Sequence, residues 1–403
     1  MTLFKDISKV RTISTIVFCG VFFGLIRSYF VGHLHGDQYP YSTFLFEPGD
    51  RFKDLFNMIT ITSKNNPYLT TDPFPSNYFP IGNSFFYLFS LLGNKMLIAG
   101  CFLGLFLILY FWLLARYLQN FFSRYFLEVL IIFFFSYPMF FNVDRLNIEL
   151  YNFLLCFLWM YFRDKGKPLP AGLFLALSIS MKLYTGVFII LYLKEKKYKE
   201  AFFILLFCGV LSVLSMLSFD GGFLVNLQAM LAGFKSFNYR YVESGYGFHH
   251  NHSMFIAFKL LYVLAIKFST GGYLNLKPEA INSLLPFYSI LTFVLFGLIV
   301  FYVLRKNLPA WMNIFLLTSA ILLFPHVSFD YKLIFVYLPL LYFLKEKRIF
   351  TNDLLYAAGF GLLLIPHNYI YFFHDVSIST FIYPAVIMLM VTFILIKTRN
   401  VQH

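Results

Sequence analysis

Charge is scarce in this chain. Only 13% of its 403 residues are Asp, Glu, Lys or Arg, against about 25% in an ordinary soluble domain. A water-soluble fold of this size could not cover its surface with so little polarity. Cysteine is also sparse. The four cysteines, Cys19, Cys101, Cys156 and Cys208, all lie inside apolar stretches, and no CxxC occurs. That excludes a disulfide scaffold and a cysteine metal site. No internal repeat, low-complexity tail or domain-sized polar block interrupts the chain, so a single integral domain over residues 1–403 is expected. A Gly-rich α/β nucleotide-binding pattern is missing too, which argues against a nucleotide-sugar or dinucleotide ligand.

What the chain has in abundance is apolar and aromatic side chains: 59% hydrophobic residues, with 56 Phe and 29 Tyr. They are grouped into runs. A helix that crosses a bilayer needs about 20 apolar residues. Runs of roughly that character occur near Thr12–Phe30, Met96–Ala115, Tyr125–Phe141, Asn147–Phe162, Pro170–Met181, Tyr184–Leu193, Ala201–Phe219, Leu284–Leu304, Ala310–Phe324, Leu333–Leu344, Leu354–Pro366 and Ile378–Ile396. The expected fold is therefore an all-α polytopic membrane protein with about 12 transmembrane helices. Several runs are short, and the pair around Lys182 suits half-helices that line a cavity. The first run follows Lys5, Lys9 and Arg11 and lacks a small-residue cleavage site; it is read as a retained span.

The net charge of +13 invites a nucleic-acid reading, but its distribution opposes one. More than half of the 32 Lys and Arg residues fall in seven short segments: Lys5–Arg11, Arg116–Arg124, Arg163–Lys167, Lys194–Lys199, Arg305–Lys306, Lys345–Arg348 and Lys397–Arg399. Cytoplasmic loops carry such an excess. Twelve spans with both termini in the cytoplasm place all seven on one side. The other face then holds a long first loop, about residues 31–95, and a second, about 220–283. It also holds every histidine but His403. The stretches Tyr78–Leu92 and His252–Phe268 are apolar enough to span. Counting either one alone would reverse every later basic loop, so both are expected to lie at the outer interface. Chemistry is expected on the outer face.

Polar groups at membrane depth are expensive and mark function or structural pairing. The candidates are Asp37, Asp50 and Asp54 in the first loop; Asp144, Arg145, Asn147 and Glu149 at a span boundary; and Lys182 between two short apolar runs. Further candidates are His249 to His252 in the second loop and His326, Asp330 and Lys332 at a later boundary. For Arg145 with its acidic neighbours, a structural ion pair is the competing reading; for Lys182, it is a lysine snorkelling to the headgroups. The histidine run has no carboxylate at ligand spacing, so no metal site and no cofactor is expected.

Short elements occur in a recognisable order on the outer face. They are Asp50 through Phe56, then Asn66-Pro67-Tyr68, Tyr78-Phe79-Pro80 and Asp144-Arg145-Leu146-Asn147. Ala171-Gly172 through Lys182 with its following basic loop comes next, then Asn251-His252-Ser253. This arrangement resembles the GT-C superfamily of polyprenyl-phosphate-sugar-dependent glycosyltransferases, and within it glycosyltransferase family 87, whose members include bacterial mannosyltransferases. Leu146 stands where that family usually has glycine. The resemblance implies a GT-C-like bundle and an inverting transfer from a polyprenyl-phosphate sugar to a hydroxyl of a glycan or glycolipid acceptor, serving a cell-envelope glycan. It implies an acidic base in the first loop, Asp50 or Asp54, with Asp37 third. Cations suit the departing phosphate; Arg145 and Lys182 are the first choices, with His326 and Lys332 behind them. Asn147, Glu149, Asn251, His252 and Tyr68 complete the expected substrate-binding set. A lipid-linked oligosaccharide polymerase and a transporter or flippase of lipid-linked glycans are the alternatives. The lack of inverted repeats speaks against a transporter.

Overall fold

The computed structural model of the protein describes residues 2–70, 74–243, 247–270, 278–346, 352–373 and 376–397. Tyr246, Lys347, Arg348, His374, Arg399 and His403 of the sequence reading lie outside these residues, as do parts of the expected second outer loop.

The chain is helical almost throughout, and its helices coincide with the apolar runs. Among the described residues five are long and apolar enough to cross a membrane: Ser8–Leu34, Lys95–Leu118, Tyr198–Leu217, Ser283–Arg305 and Ser379–Ile396. A sixth crossing is possible if Phe126–Phe134 and Tyr137–Arg145, bent by 50° at their junction, form one broken span. The other expected spans fall on shorter helices, among them Glu149–Asp164, Pro168–Met181, Ala310–Leu323 and Asp353–Leu363. The difference has a physical basis. Length is dictated by lipid only where a helix faces lipid. Ala310–Leu323 is buried from Trp311 to Leu323 on every face, so neighbouring protein sets its length. The long helices present Ile108, Phe111 and Trp112, or Phe202, Phe203 and Leu206, outward, as lipid contact requires. The protein is thus a multi-pass helical membrane protein. Among the described residues its sheet is a short antiparallel pair, Tyr371–Phe373 with Val376–Ser377, and an isolated bridge joins Asn251 to Phe329.

The two apolar stretches assigned to the interface form helices as well, Pro80–Ser90 and Met254–Thr270. Pro80 opens the first, where its missing N–H costs nothing. Asn94 starts the Lys95–Leu118 helix by accepting from the amides of Met96 and Leu97 at 2.9 and 3.1 Å.

The chain separates into two compact units. The first comprises Met1–Glu47, Ser123–Phe141 and Asn238–His403; the second comprises Pro48–Phe122 and Asn142–Phe237. In the first unit the N-terminal helix packs tightly against Asp353–Leu363. A Cβ on Gly20 would lie 2.5 Å from Ile365, and one on Gly361 would lie 3.0 Å from Ile16. Small residues let membrane helices approach this closely. In the second unit, the Lys53–Thr62 helix follows a separate single turn, Pro48–Asp50. Between them Phe52 sits at a φ of 61°, a left-handed conformation that breaks the helix. Asp50 therefore neither begins the amphipathic helix nor caps it. Phe52 occupies the cap position, with no side-chain bond to the helix amides.

Candidate functional site

The expected site residues divide between the two units, and each group forms its own network. In the second unit the centre is Arg145, at the end of the Tyr137–Arg145 helix with only 9% of its side chain exposed. Its Nη2 lies 2.5 Å from Asp54 Oδ1, and its Nη1 donates to the backbone carbonyl of Asp50 at 3.0 Å. Asn147 Nδ2 donates to the other Asp54 oxygen at 2.7 Å. Both Asp54 oxygens are therefore engaged by the Arg145–Asn147 segment. The Asp50 carboxylate instead pairs with Lys53 at 2.5 Å, and that lysine side chain is 51% exposed. One guanidinium fixes Asp54 by its carboxylate and Asp50 by its backbone.

The residue between these anchors explains the geometry. Leu146 has a φ of 45° and is fully buried. Glycine takes that conformation without strain, which accounts for its place in the pattern that the chain resembles. Leu146 occupies it at some backbone cost, offset by burial of its side chain. The turn lets Asn147 face Asp54 while its Oδ1 accepts from the Glu149 amide at 3.1 Å and so starts the next helix.

Glu149 is wholly buried. Its Oε2 accepts from Tyr184 Oη and from Asn152 Nδ2, the latter at 3.3 Å. Its Oε1 has no hydrogen bond, but Lys182 Nζ stands 3.9 Å from it. Lys182 lies at the break between Pro168–Met181 and the turn Leu183–Phe188. Its ammonium sits 3.9 Å from the centre of the Tyr78 ring, a cation–π contact. Burial lowers the Lys182 pKa below the usual lysine value, and the charges of Glu149 and Asp54 oppose that shift without cancelling it. The lysine is therefore held between an acid and an aromatic face. Sequence reasoning missed Tyr78 and Tyr184 as partners, because nothing in their local sequence says which charge they approach.

Tyr68 lies elsewhere in the same unit. It is buried in a cluster with Met216, Phe219 and Met230. Asn66 beside it accepts from the Tyr68 amide at 2.9 Å and donates to Asn226 Oδ1 at 2.6 Å. The Asn-Pro-Tyr element thus fastens the first loop to the 216–230 region.

The first unit contains the other group. Asp330 is completely buried and accepts from Tyr137 Oη at 2.6 Å and His252 Nδ1 at 2.9 Å; His250 Nδ1 is 3.6 Å away. Burial would raise the Asp330 pKa, but the two histidines outweigh it and hold the carboxyl well below its usual range. His252 is pushed down by burial, against the pull of Asp330. Its Nε2 meets Ser328 Oγ at 3.2 Å. Asn251 has both ends of its amide engaged, accepting from the Ser253 and Ser328 amides at 3.0 Å each and donating to the Gly247 carbonyl at 2.7 Å. Lys332 Nζ donates to the Val327 carbonyl at 3.1 Å. His326 packs edge-on against Phe255, and burial lowers its pKa. Among the described residues no group of three His, Cys, Asp or Glu side chains is arranged to hold a metal ion.

No curated protein and no solved structure matches the chain. A family model does match, that of glycosyltransferase family 87, over residues 77–325. The match covers more than half of the chain and takes in Arg145, Asn147, Glu149, Lys182, Asn251 and His252. On that match, and with the membrane-spanning helices described above, the chain belongs to glycosyltransferase family 87 and is a membrane glycosyltransferase.

Proposed function

We propose that the protein moves a sugar from a polyprenyl-phosphate donor to a hydroxyl of a glycan or glycolipid acceptor at the outer face of a bacterial cytoplasmic membrane, with inversion and within one integral domain. Asp50 is the base. The acceptor oxygen attacks the anomeric carbon, its proton passes to the Asp50 carboxylate, and the bond from that carbon to the phosphate oxygen breaks. The lipid phosphate departs with the bonding electrons. A positioned general base contributes about 10²–10⁴-fold. Arg145 and Lys182 supply cations for the phosphate, where charge-assisted donors count most.

The observation that carries this reading is Arg145. Its guanidinium holds the Asp50 backbone and the Asp54 carboxylate together. It also favours Asp50 over Asp54 as the base. Asp54 has both oxygens committed to Arg145 and Asn147, whereas the carboxylate of Asp50 is paired, among the described residues, with Lys53, whose side chain is 51% exposed. Asp54 then serves to hold Arg145. The same logic gives Asn251 and His252 supporting parts, since their polar atoms are occupied within the protein. The test is sugar transfer by Asp50→Asn and Lys182→Ala variants in reconstituted membranes. Loss of transfer by orders of magnitude in the first, and weakened donor binding in the second, supports the reading. Wild-type rates in both remove these residues from the mechanism.

A further inference from the structure

Lys182 stops short of the acid beside it. Its ammonium stands 3.9 Å from Glu149 Oε1, and that buried oxygen accepts no hydrogen bond among the described residues. A buried carboxylate oxygen left unsatisfied is costly, and closing the gap to about 2.8 Å would make a charge-assisted hydrogen bond. The gap therefore needs a cause. The ammonium lies 3.9 Å from the centre of the Tyr78 ring, well inside the reach of about 6 Å over which an aromatic face attracts a cation. Two groups compete for one charge, the carboxylate and the ring. At 3.9 Å neither contact is a hydrogen bond. The N–H groups of Lys182 thus stay open to a ligand, and the 20% exposure of the side chain lets one in.

The ring itself is held in place. Ser76, fully buried, accepts from the Tyr78 amide at 3.1 Å and donates to Asn83 Oδ1 at 2.7 Å. That fixes the Tyr78 backbone at the entrance to the Pro80–Ser90 helix. Phe86 of that helix meets the ring edge-on, with centres 5.7 Å apart. The Tyr78 hydroxyl shares a side-chain hydrogen bond with Asn147, the residue that also holds Asp54 at 2.7 Å. Fastened at its backbone, its edge and its hydroxyl, the ring presents its face in one position, and Lys182 sits over it. The charged groups that act on Lys182 are Glu149 and Asp54, both acids that would otherwise claim the ammonium.

We propose that Tyr78 is a positioning residue for the donor phosphate: its ring face holds the Lys182 ammonium off Glu149 and so keeps it available to a phosphate oxygen. The proposal rests on the reading of Lys182 as a phosphate cation. Tyr78 acts through Lys182 and needs no contact with substrate.

The test is binding of farnesyl phosphate, a short polyprenyl monophosphate, to the full chain in lipid nanodiscs near neutral pH, read by calorimetry. Tyr78→Phe keeps the ring and its negative face and should bind within about threefold of wild type. Replacing Tyr78 by a fluorinated phenylalanine keeps the ring's shape but drains that face of negative charge. Binding should then weaken about tenfold relative to Tyr78→Phe, as loss of a largely desolvated cation–π contact implies. Packing is nearly the same for the two rings, so a merely structural role would leave them alike. In a Lys182→Ala background the fluorination should change nothing further. Tyr78→Leu should lose binding as the fluorinated ring does, and adding Glu149→Gln should recover most of it, because the acid that captures Lys182 is then gone. This leucine pair carries the test if the fluorinated chain does not fold. The proposal is overturned if fluorination leaves binding as in Tyr78→Phe, if it weakens binding equally without Lys182, or if Glu149→Gln fails to rescue Tyr78→Leu. Lys182→Ala binding as tightly as wild type would overturn the phosphate reading of Lys182 and this proposal with it. A weakened Lys182→Ala beside an unaffected fluorinated ring would overturn this proposal alone.

Discussion

Exchanging Asp54 for Asn separates holding from chemistry in the loop over residues 31–95. Asn preserves the shape of the side chain and one acceptor oxygen but removes the charge facing Arg145. The wild-type pair is 2.5 Å apart, with the arginine side chain 9% exposed and the aspartate 22%. Hydrogen bonds to charged groups contribute about 1.5–3 kcal/mol, and a fully buried charge left without its partner costs about 3–5 kcal/mol. The residual exposure of Asp54 and the second contact of Arg145, to the Asp50 carbonyl, both reduce the penalty. A loss of about 2 kcal/mol is expected, a factor of about 30 in the folded-to-unfolded ratio. Asp50→Asn should differ in kind. In the Asp50–Lys53 pair the lysine side chain is 51% exposed and the aspartate 22%; ion pairs open to solvent on one side contribute about 0–1 kcal/mol, so the stability loss should be smaller than that of Asp54→Asn. Transfer should fall by about 10²–10⁴. Equilibrium unfolding in mixed detergent and initial rates of sugar transfer, measured on both variants, decide the matter. A destabilised but chemically competent Asp50→Asn beside a stable, inactive Asp54→Asn would refute the assignment and move the base to Asp54.

Three further outcomes are expected. Because burial lowers the Lys182 pKa, donor binding should decline with rising pH earlier than an ordinary lysine would allow. Lys182→Arg, which stays charged, should remove that alkaline decline in a pH–KM profile; an unchanged profile would exclude Lys182 as the titrating cation. Glu149 raises the Lys182 pKa, so Glu149→Gln should shift the decline to still lower pH, and a shift upward would contradict the pairing. The Asp330 carboxyl is held below its usual range and His252 below its usual value. Both groups take up protons more readily when unfolded, so stability is full above about pH 6.5 and falls as pH drops through the ordinary histidine and carboxylate values, about 6.5 and 3.9. Asp330→Asn should flatten the acidic part of that fall in unfolding measurements; a steeper fall would refute the network.

The apolar runs could be found because lipid contact demands long stretches without charge. The five candidate spans begin and end within a few residues of the runs, Ala201–Phe219 falling on Tyr198–Leu217 and Leu284–Leu304 on Ser283–Arg305. The shorter runs carried no such length rule. Sequence could not say that Ala310–Leu323 is wrapped by protein on every face, because an all-apolar segment looks the same against lipid or against neighbouring helices. The site shows the same division. Asp50, Arg145, Glu149 and Lys182 could be picked out as charges in apolar surroundings, where each needs a partner. Which partner each has was not legible. Arg145 sits beside Asp144 in the chain but holds Asp54, 91 residues away in sequence. Tyr184 and Tyr137 carry no charge, and Tyr78 stood out only as part of the Tyr78-Phe79-Pro80 element, so nothing marked any of them as a partner of a charged group.

The sequence alone determined that this chain lies in a membrane, that its helices follow the apolar runs, and that a few charged residues needed explanation. The cost of burying charge acts on every conformation, so composition and spacing already express it. Tertiary structure decided that Asp54 is held by Arg145 and Asn147, that Asp50 pairs with Lys53, and that Phe52 detaches Asp50 from the following helix. Those outcomes depend on hydrogen bonds between residues far apart in the chain, whose directions exist only once the backbone is folded.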